Sequence, residues 1–499
     1  MLFNSVQYLI FLPICIILYF SVPVKYRNLF LLLSSYFFYM CWMPEYILLL
    51  MLSTVVTWLG GFFIEKTSQK TLRKVVLFGT IFINLSILFL FKYYSFFGDL
   101  TTLLFKRIGV QIELPSINLL LPVGISFYTF QALGYSIDVY RGEILHERNI
   151  INYALFVSFF PQLVAGPIER SKNLLPQFKT IHSFDAKRAT EGLRIILIGM
   201  FKKVAVADMA ALYVDNVFAR VDSLEGFTLA LAVFLFTIQI YCDFSGYSDI
   251  ARGTALILGF KLMENFQAPY FATSITEFWQ RWHISLSTWL RDYIYIPLGG
   301  NKRGFTRKCI NLLIVFGISG LWHGAALTFV VWGGIHGICR VLEECIKKAK
   351  IIKNSETGIW KNIKTAISHL YCFFVVAFAW IFFRAESLGQ ALKIIKRMTI
   401  RFSIVNFGMD LKTLVEKIMP EYDWMYCAYY AILVIGILFI VITDYQRIYR
   451  HKKPEDVIAS HNVIIRWLSY YILTIVTMFC FVMTTNEYGQ AGAFLYFQF

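Results

Sequence analysis

The residues best suited to chemistry lie between Phe278 and Gly337, which hold three of the chain's eight histidines: His283, His323 and His336. His323 stands between Trp322 and Gly324, with apolar runs on both sides. An ionisable side chain in such a setting is expensive and marks a functional site by default. The competing reading is a histidine that hydrogen-bonds a neighbouring helix and only holds a bundle together. The indole before it and the glycine after it favour function, and a neutral imidazole there suits a general base or a nucleophile. His283 lies in FWQRWHISLSTWLRDY, which also carries Arg281 and Arg291. Such a stretch suits an interfacial aromatic belt. It equally suits a mouth that attracts a polyanionic donor, with Trp282, Arg281 and Trp322 as candidate contacts. Further on, Gly299-Gly300-Asn301-Lys302-Arg303-Gly304 could bring backbone N–H groups, Asn301 and Lys302 close to phosphates. The same string is also an ordinary turn.

The elements that must position these residues are membrane helices. Hydrophobic residues make up 58% of the 499 residues and charged residues 16%, which excludes an ordinary soluble domain. Apolar runs near the ~20 residues needed to cross a bilayer recur along the chain. They are continuous rather than alternating, which argues against a barrel. The expected fold is all-α, a polytopic bundle of about 10–12 membrane segments, some re-entrant, forming one domain over 1–499. The net charge of +16 raises nucleic acid as a partner, but its placement argues for none. Lys and Arg cluster in short loops between apolar runs, the positive-inside pattern, and so report topology and contact with membrane lipid head groups. Nine scattered cysteines give no disulfide framework and no metal site. The first run, Tyr8 to Val22, has no basic n-region and no A-x-A site, and reads as a retained helix.

Charge asymmetry sets the expected orientation. Lys25 and Arg27, then Lys66, Lys70, Arg73 and Lys74, then Lys347 to Lys353, then Arg447 to Lys453 place their loops in the cytoplasm. Both termini are then expected outside. Runs near 28–43 and 46–64 form a hairpin, a run near 75–92 goes out, and 93–116 reads as an outer interfacial segment. Residues 150–168 are apolar but broken by Pro161, Gly166 and Pro167, which suggests a re-entrant or buried segment. Residues 261–308 are aromatic and basic and are expected at the cytoplasmic face. Residues 384–424 read as an amphipathic outer segment and 486–499 as an outer tail.

Three more stretches put polar groups into apolar context: 121–142 with Gln131 and Asp138, 159–171, and 241–253 with Asp243 and Asp249. Each residue alone reads as polar glue; together they imply a polar interior. Asp243 and Asp249 are expected to pair with Arg252 or with a basic residue of a neighbouring segment.

PVGISFYTFQ, PQLVAGPI, DFSGYSDIARG, FWQRWHISLSTWLRDYIYIPLGGNKRG and GLWHG, in this order and spacing, resemble the membrane-bound O-acyltransferase family. The resemblance is to its bacterial branch of alginate and peptidoglycan O-acetyltransferases, whose cousin transfers D-alanine to teichoic acid. It is dense over 100–340. It implies helices around a funnel or tunnel, His323 as the central catalytic residue and His283 as the second histidine of the site. His336 is left as a structural candidate. The ending FLYFQF resembles a motif of this branch in which a tyrosine carries the acyl group, which would be Tyr496. The implied reaction draws an acetyl group from acetyl-CoA, with no bound cofactor. It hands that group to an extracytoplasmic SGNH/esterase-like partner, which acetylates a polysaccharide outside the bacterial inner membrane. A transporter is the rival from another class, since broken helices and buried carboxylates fit one. The halves show no similar hydropathy, and a transporter needs no Trp-His-Gly constellation.

Overall fold

A computed structural model describes the chain except residues 112–114, 116–118, 225, 350–358, 401–407, 409–422, 489–493 and 496–499. The protein is helical, with no strand among the described residues, and is a multi-pass membrane protein. Among the described residues seven helices are long and apolar enough to cross a bilayer, and Val6–Ser21 is apolar but shorter. Many large apolar side chains point outward: Phe82 is 73% exposed, Ile464 73% and Ile475 65%. Water would penalise such a surface, whereas hydrocarbon does not.

Two compact units make up the chain. The first comprises Met1–Leu193 with Ala251–Met263. It contains α1 (Val6–Ser21), α2 (Arg27–Met40), α3 (Ile47–Lys66), α4 (Lys70–Leu88), α5 (Tyr94–Arg107), α6 (Ile125–Arg141) and α7 (Ile150–Ser158). Helix α3 packs on α4 and α6, and α7 packs on α2. Hydrogen bonds glue these contacts: Ser53 Oγ donates to Asn84 Oδ1 at 2.6 Å, and Tyr153 Oη donates to Thr57 Oγ1 at 2.6 Å. Gln131 donates to the Phe156 carbonyl, which α7 leaves unpaired near its end, and Asp138 accepts from Ser171 Oγ at 3.0 Å. Both polar residues of 121–142 thus satisfy buried groups.

The expected outer segment 93–116 starts as helix: α4 runs through a π-helical turn, Phe89–Tyr93, directly into α5, and part of the segment lies outside the described residues. One wider turn absorbs Lys92, whose ammonium lies 3.4 Å from Ser126 Oγ. The broken run 150–168 is buried, as expected: α7 stops at Ser158 and residues 152–171 are shielded throughout.

The second unit comprises Arg194–Ile250 and the described residues from Glu264 onward. Helix α8 (Ala186–Met200) enters it, passes through a π-helical segment at Phe201–Asp208 and continues as α9 (Met209–Ala219). Then come α10 (Gly226–Leu258), short α11 (Ile275–Arg281) and α12 (Ile284–Leu290), α13 (Phe305–His323) and α14 (Leu327–Lys348). Helices α15 (Ile359–Arg384), α16 (Leu388–Ile400), α17 (Asp423–Tyr449) and α18 (Val463–Tyr488) complete it. The expected amphipathic segment 384–424 is helical in α16, whose Ala391 and Ile394 are buried; most of its remainder lies outside the described residues.

The adjacent lysines of the π segment meet the two carboxylates that the sequence left to find partners. Lys203 Nζ lies 2.5 Å from Asp243 Oδ1, and Lys202 Nζ lies 2.8 Å from Asp249 Oδ2. Helices α13 and α14 cross where Gly320 meets Gly333. A Cβ on Gly333 would fall 2.3 Å from the Phe316 carbonyl oxygen, and one on Gly320 equally close to that of Phe329. Small residues let the backbones touch, and this crossing sets how near His323 comes to α14. Gly333→Ala is therefore expected to lower stability by about 1–3 kcal/mol through overpacking. Thermal denaturation in detergent measures it, and an unchanged midpoint would show that the helices do not approach this closely.

Candidate functional site

His323 ends α13 and is 3% exposed. The close crossing brings α14 under its ring: Trp332 stands edge-on at 4.9 Å, and Phe383 of α15 lies at 5.4 Å. Trp322 is at 4.9 Å on the other side. Behind them Trp332 stacks on Trp380 at 5.6 Å and 20°. The imidazole sits in a wall of rings that leaves little room for bulk water and strengthens electrostatic effects inside it.

His283 reaches the same place from another element. It joins α11 to α12 with φ 43° and ψ 53°, left-handed values uncommon for a residue with a side chain. Such a conformation costs on the order of 1–3 kcal/mol and needs support. Asn265 supplies it. Its carbonyl accepts from the Ile284 N–H at 3.0 Å, and its Oδ1 accepts from the Ser285 N–H at 3.1 Å and Ser285 Oγ at 2.9 Å. Only oxygen can accept from a backbone N–H, so the amide orientation follows from the bonding. His283 Nδ1, 3.3 Å from the same oxygen, must then donate, and Nε2 keeps its lone pair. Burial pushes this imidazole down to about 3, which keeps it neutral.

The ring centroids are 6.4 Å apart, and Trp322 borders both, 5.8 Å from His283. Phe244 closes the far side of His283 at 4.7 Å. Two buried imidazoles, that of His283 held neutral, can take and return a proton, or one can carry an acyl group while the other positions the attacker.

The remaining predicted residues divide. Trp322 belongs to the site. Trp282 is fully buried, stacked on Phe278 at 5.4 Å and facing Trp380 at 5.2 Å, so it supports the wall rather than lining an open mouth. Arg281 is turned back to Glu277 at 2.5 Å, within its own helix. Asn301 and Lys302 are exposed in a turn that precedes α13, and Asn301 accepts from Tyr295 Oη. Helix α13 has 19 residues, so that turn and His323 are about 27 Å apart along the axis. The structure does not bring these two groups together. His336 is not at the pair. It lies between Phe278 at 6.1 Å and Phe316 at 6.2 Å and accepts from Trp279 Nε1 at 3.3 Å through Nδ1. Tyr496 lies outside the described residues. Among the described residues there is no group of metal-ligating side chains.

Sequence reasoning missed Asn265, Ser285, Trp332, Trp380 and Phe383. Asn265 stands eighteen positions before His283 with no local motif around it. The rings lie in runs that read equally well as lipid-facing helix. The only signal was an indole recurring within apolar stretches.

Comparison with known proteins points the same way. Residues 140–387 match the model of the membrane-bound O-acyltransferase family. A probable alginate O-acetylase of Pseudomonas putida is 35% identical over all of this chain and all of its own. A peptidoglycan O-acetyltransferase of Helicobacter pylori is 35% identical over 80% of each chain. A teichoic acid D-alanyltransferase of Streptococcus thermophilus is 30% identical over 49% of this chain and 62% of its own.

The geometry separates the histidines experimentally. His336→Phe keeps the ring stack but leaves the Trp279 N–H without its acceptor, an expected loss of about 1–3 kcal/mol. Denaturation in detergent reads it, and a midpoint equal to wild type would show that the bond contributes nothing.

Proposed function

This chain belongs to the membrane-bound O-acyltransferase family, and from that premise we propose that it moves acetyl groups across the bacterial cytoplasmic membrane. The chain is an acyltransferase. The proposed donor is acetyl-CoA at the cytoplasmic face, and the proposed acceptor is a hydroxyl of a cell-envelope or secreted polysaccharide, peptidoglycan or alginate-like. The observation that carries this reading is the buried pair of imidazoles, His323 and His283, 6.4 Å apart within one ring-lined wall.

His323 serves as general base or as transient acyl acceptor. As base, it takes the proton of an incoming hydroxyl while the new carbon–oxygen bond forms. The carbon–sulfur bond of the thioester then breaks, and the thiol leaves with that proton. As acceptor, its ring nitrogen attacks the thioester carbonyl, the carbon–sulfur bond breaks and the thiolate leaves; a hydroxyl then takes the acetyl group as the carbon–nitrogen bond breaks, and its proton goes to the thiolate. His283, held by Asn265, orients the reacting group through Nε2. Exclusion of water protects the activated acyl group from hydrolysis. The basic turn at Asn301 and Lys302 is kept as a proposed docking point for donor phosphates at the entry, a helix length from His323. Trp282 backs the ring wall, and Arg281, paired with Glu277, holds the short helix that carries it. Onward transfer runs through Tyr496 to an SGNH/esterase-like protein at the outer face. D-alanyl transfer is the second reading within the family; relatives matched over most of the chain favour acetyl transfer.

His323→Ala should reduce acetylation of the envelope polymer to background, with expression and membrane insertion unchanged. Near-normal acetylation would sink the catalytic role. Tyr496→Phe keeps the ring and removes only the hydroxyl; it should lose transfer if Tyr496 relays the acyl group, and wild-type activity in it would remove the relay. The proposed orientation puts the loops at Lys66–Lys74 and Arg447–Lys453 in the cytoplasm and both termini outside. Introduced cysteines in those loops should resist an impermeant thiol reagent applied to intact cells; labelling from outside refutes the topology.

A further inference from the structure

Asp243 of α10 is 2% exposed, and its two carboxylate oxygens are engaged differently. Oδ1 faces Lys203 Nζ at 2.5 Å, and the same ammonium lies 2.7 Å from Asp208 Oδ1. Oδ2 accepts from the backbone N–H of Leu495 at 2.8 Å. The lysine is shared between two carboxylates, and a main-chain N–H is the donor that Oδ2 of Asp243 takes. The neighbouring residue, Phe494, is 1% exposed. Its ring lies 4.6 Å from Tyr247 and 5.6 Å from Phe244. Phe244 is the ring that stands edge-on to His283 at 4.7 Å and 86°. A segment some 250 positions away in sequence is thus seated directly behind the histidine pair.

Apolar filling alone needs only a ring of suitable size, and it tolerates sliding. A charge-assisted bond to one main-chain amide fixes the register of the segment, since it places Leu495, and with it Phe494, at a single position. We propose that Asp243 is a positioning residue of this site. It holds the Leu495 amide and so seats Phe494 against Phe244, the ring that backs His283. Lys203, which Asp208 shares, engages the other carboxylate oxygen and keeps the side chain aimed. The effect on turnover rests on the acetyl-transfer reading above; the seating itself does not.

Hydrogen–deuterium exchange on the full chain in detergent tests the seating, read by mass spectrometry on the peptide that contains Leu495. In wild type the Leu495 amide should exchange slowly. In Asp243→Ala it should exchange about 10- to 100-fold faster, the protection that a hydrogen bond to a charged group supports. Asp243→Asn keeps an acceptor oxygen and should retain part of the protection. Because Asp243→Ala also strands Lys203, Leu495→Pro is the second variant: it removes the donating N–H and leaves the ion pair intact. Leu495→Pro should lower the rate of acetyl transfer about tenfold or more at unchanged expression and unchanged donor KM. An unprotected Leu495 amide in wild type, or protection unaltered in Asp243→Ala, overturns the contact. Wild-type transfer by Leu495→Pro overturns the positioning role. Wild-type protein that shows the protection but transfers no acetyl group refutes the functional reading and supports the seating.

Discussion

A charge or a polar group that water cannot reach must find its partner inside the chain, and most of the second unit is arranged around that requirement. Lys202 and Lys203 enter a region of apolar helices, and each meets a carboxylate of α10. Tyr241 donates to Asp444 of α17 at 2.9 Å. A regular α-helix would spread consecutive lysines around its axis. The π-helical segment Phe201–Asp208 widens one stretch of the ladder where both must be satisfied. The ion pairs are not a surplus of stability. Breaking one strands a buried charge, so the helices that supply the partners are locked to one arrangement.

The same requirement, met differently, makes the site. His283 is neutral because it is buried, and the amide oxygen of Asn265 beside Nδ1 determines which nitrogen keeps a lone pair. His323 is surrounded by rings on α14 and α15. Aromatic walls exclude water and bring no charge of their own to the two rings. His336 shows the alternative fate of a buried histidine: a ring stack, a bond from an indole and a place in the wall.

Much of this was legible in the residues themselves. Long continuous apolar runs can only be helices in hydrocarbon, since no other unclosed backbone satisfies its own N–H and C=O groups. The spans at Pro44–Lys66, Gly226–Leu258, Phe305–His323 and Val463–Thr485 therefore follow from composition alone. So did the prominence of His323, because a titratable group among apolar residues has few reasons to be there. The break near Pro161 and Gly166 was equally readable, because proline removes a donor and a buried break needs protein around it. The join of α4 to α5 was not, since an irregular turn inside a helix leaves no hydrophobic period of its own.

What the sequence could not decide was which groups meet. Asn265 and His283 are brought together by a left-handed turn, His323 and Trp332 by the touching backbones of Gly320 and Gly333, and Asp243 and Leu495 across some 250 residues. Periodicity reports the face of a single helix, and motifs report short spacings. Neither carries the crossing of two helices or the length of one. That is also why Asn301 and Lys302, close to His283 in the chain, stand a whole helix away from His323. The amino-acid order alone determined a helical membrane protein with a costly histidine at its centre. The tertiary packing decided that this histidine has a partner, since only packing sets distances between elements in a solvent that drives no polar group outward.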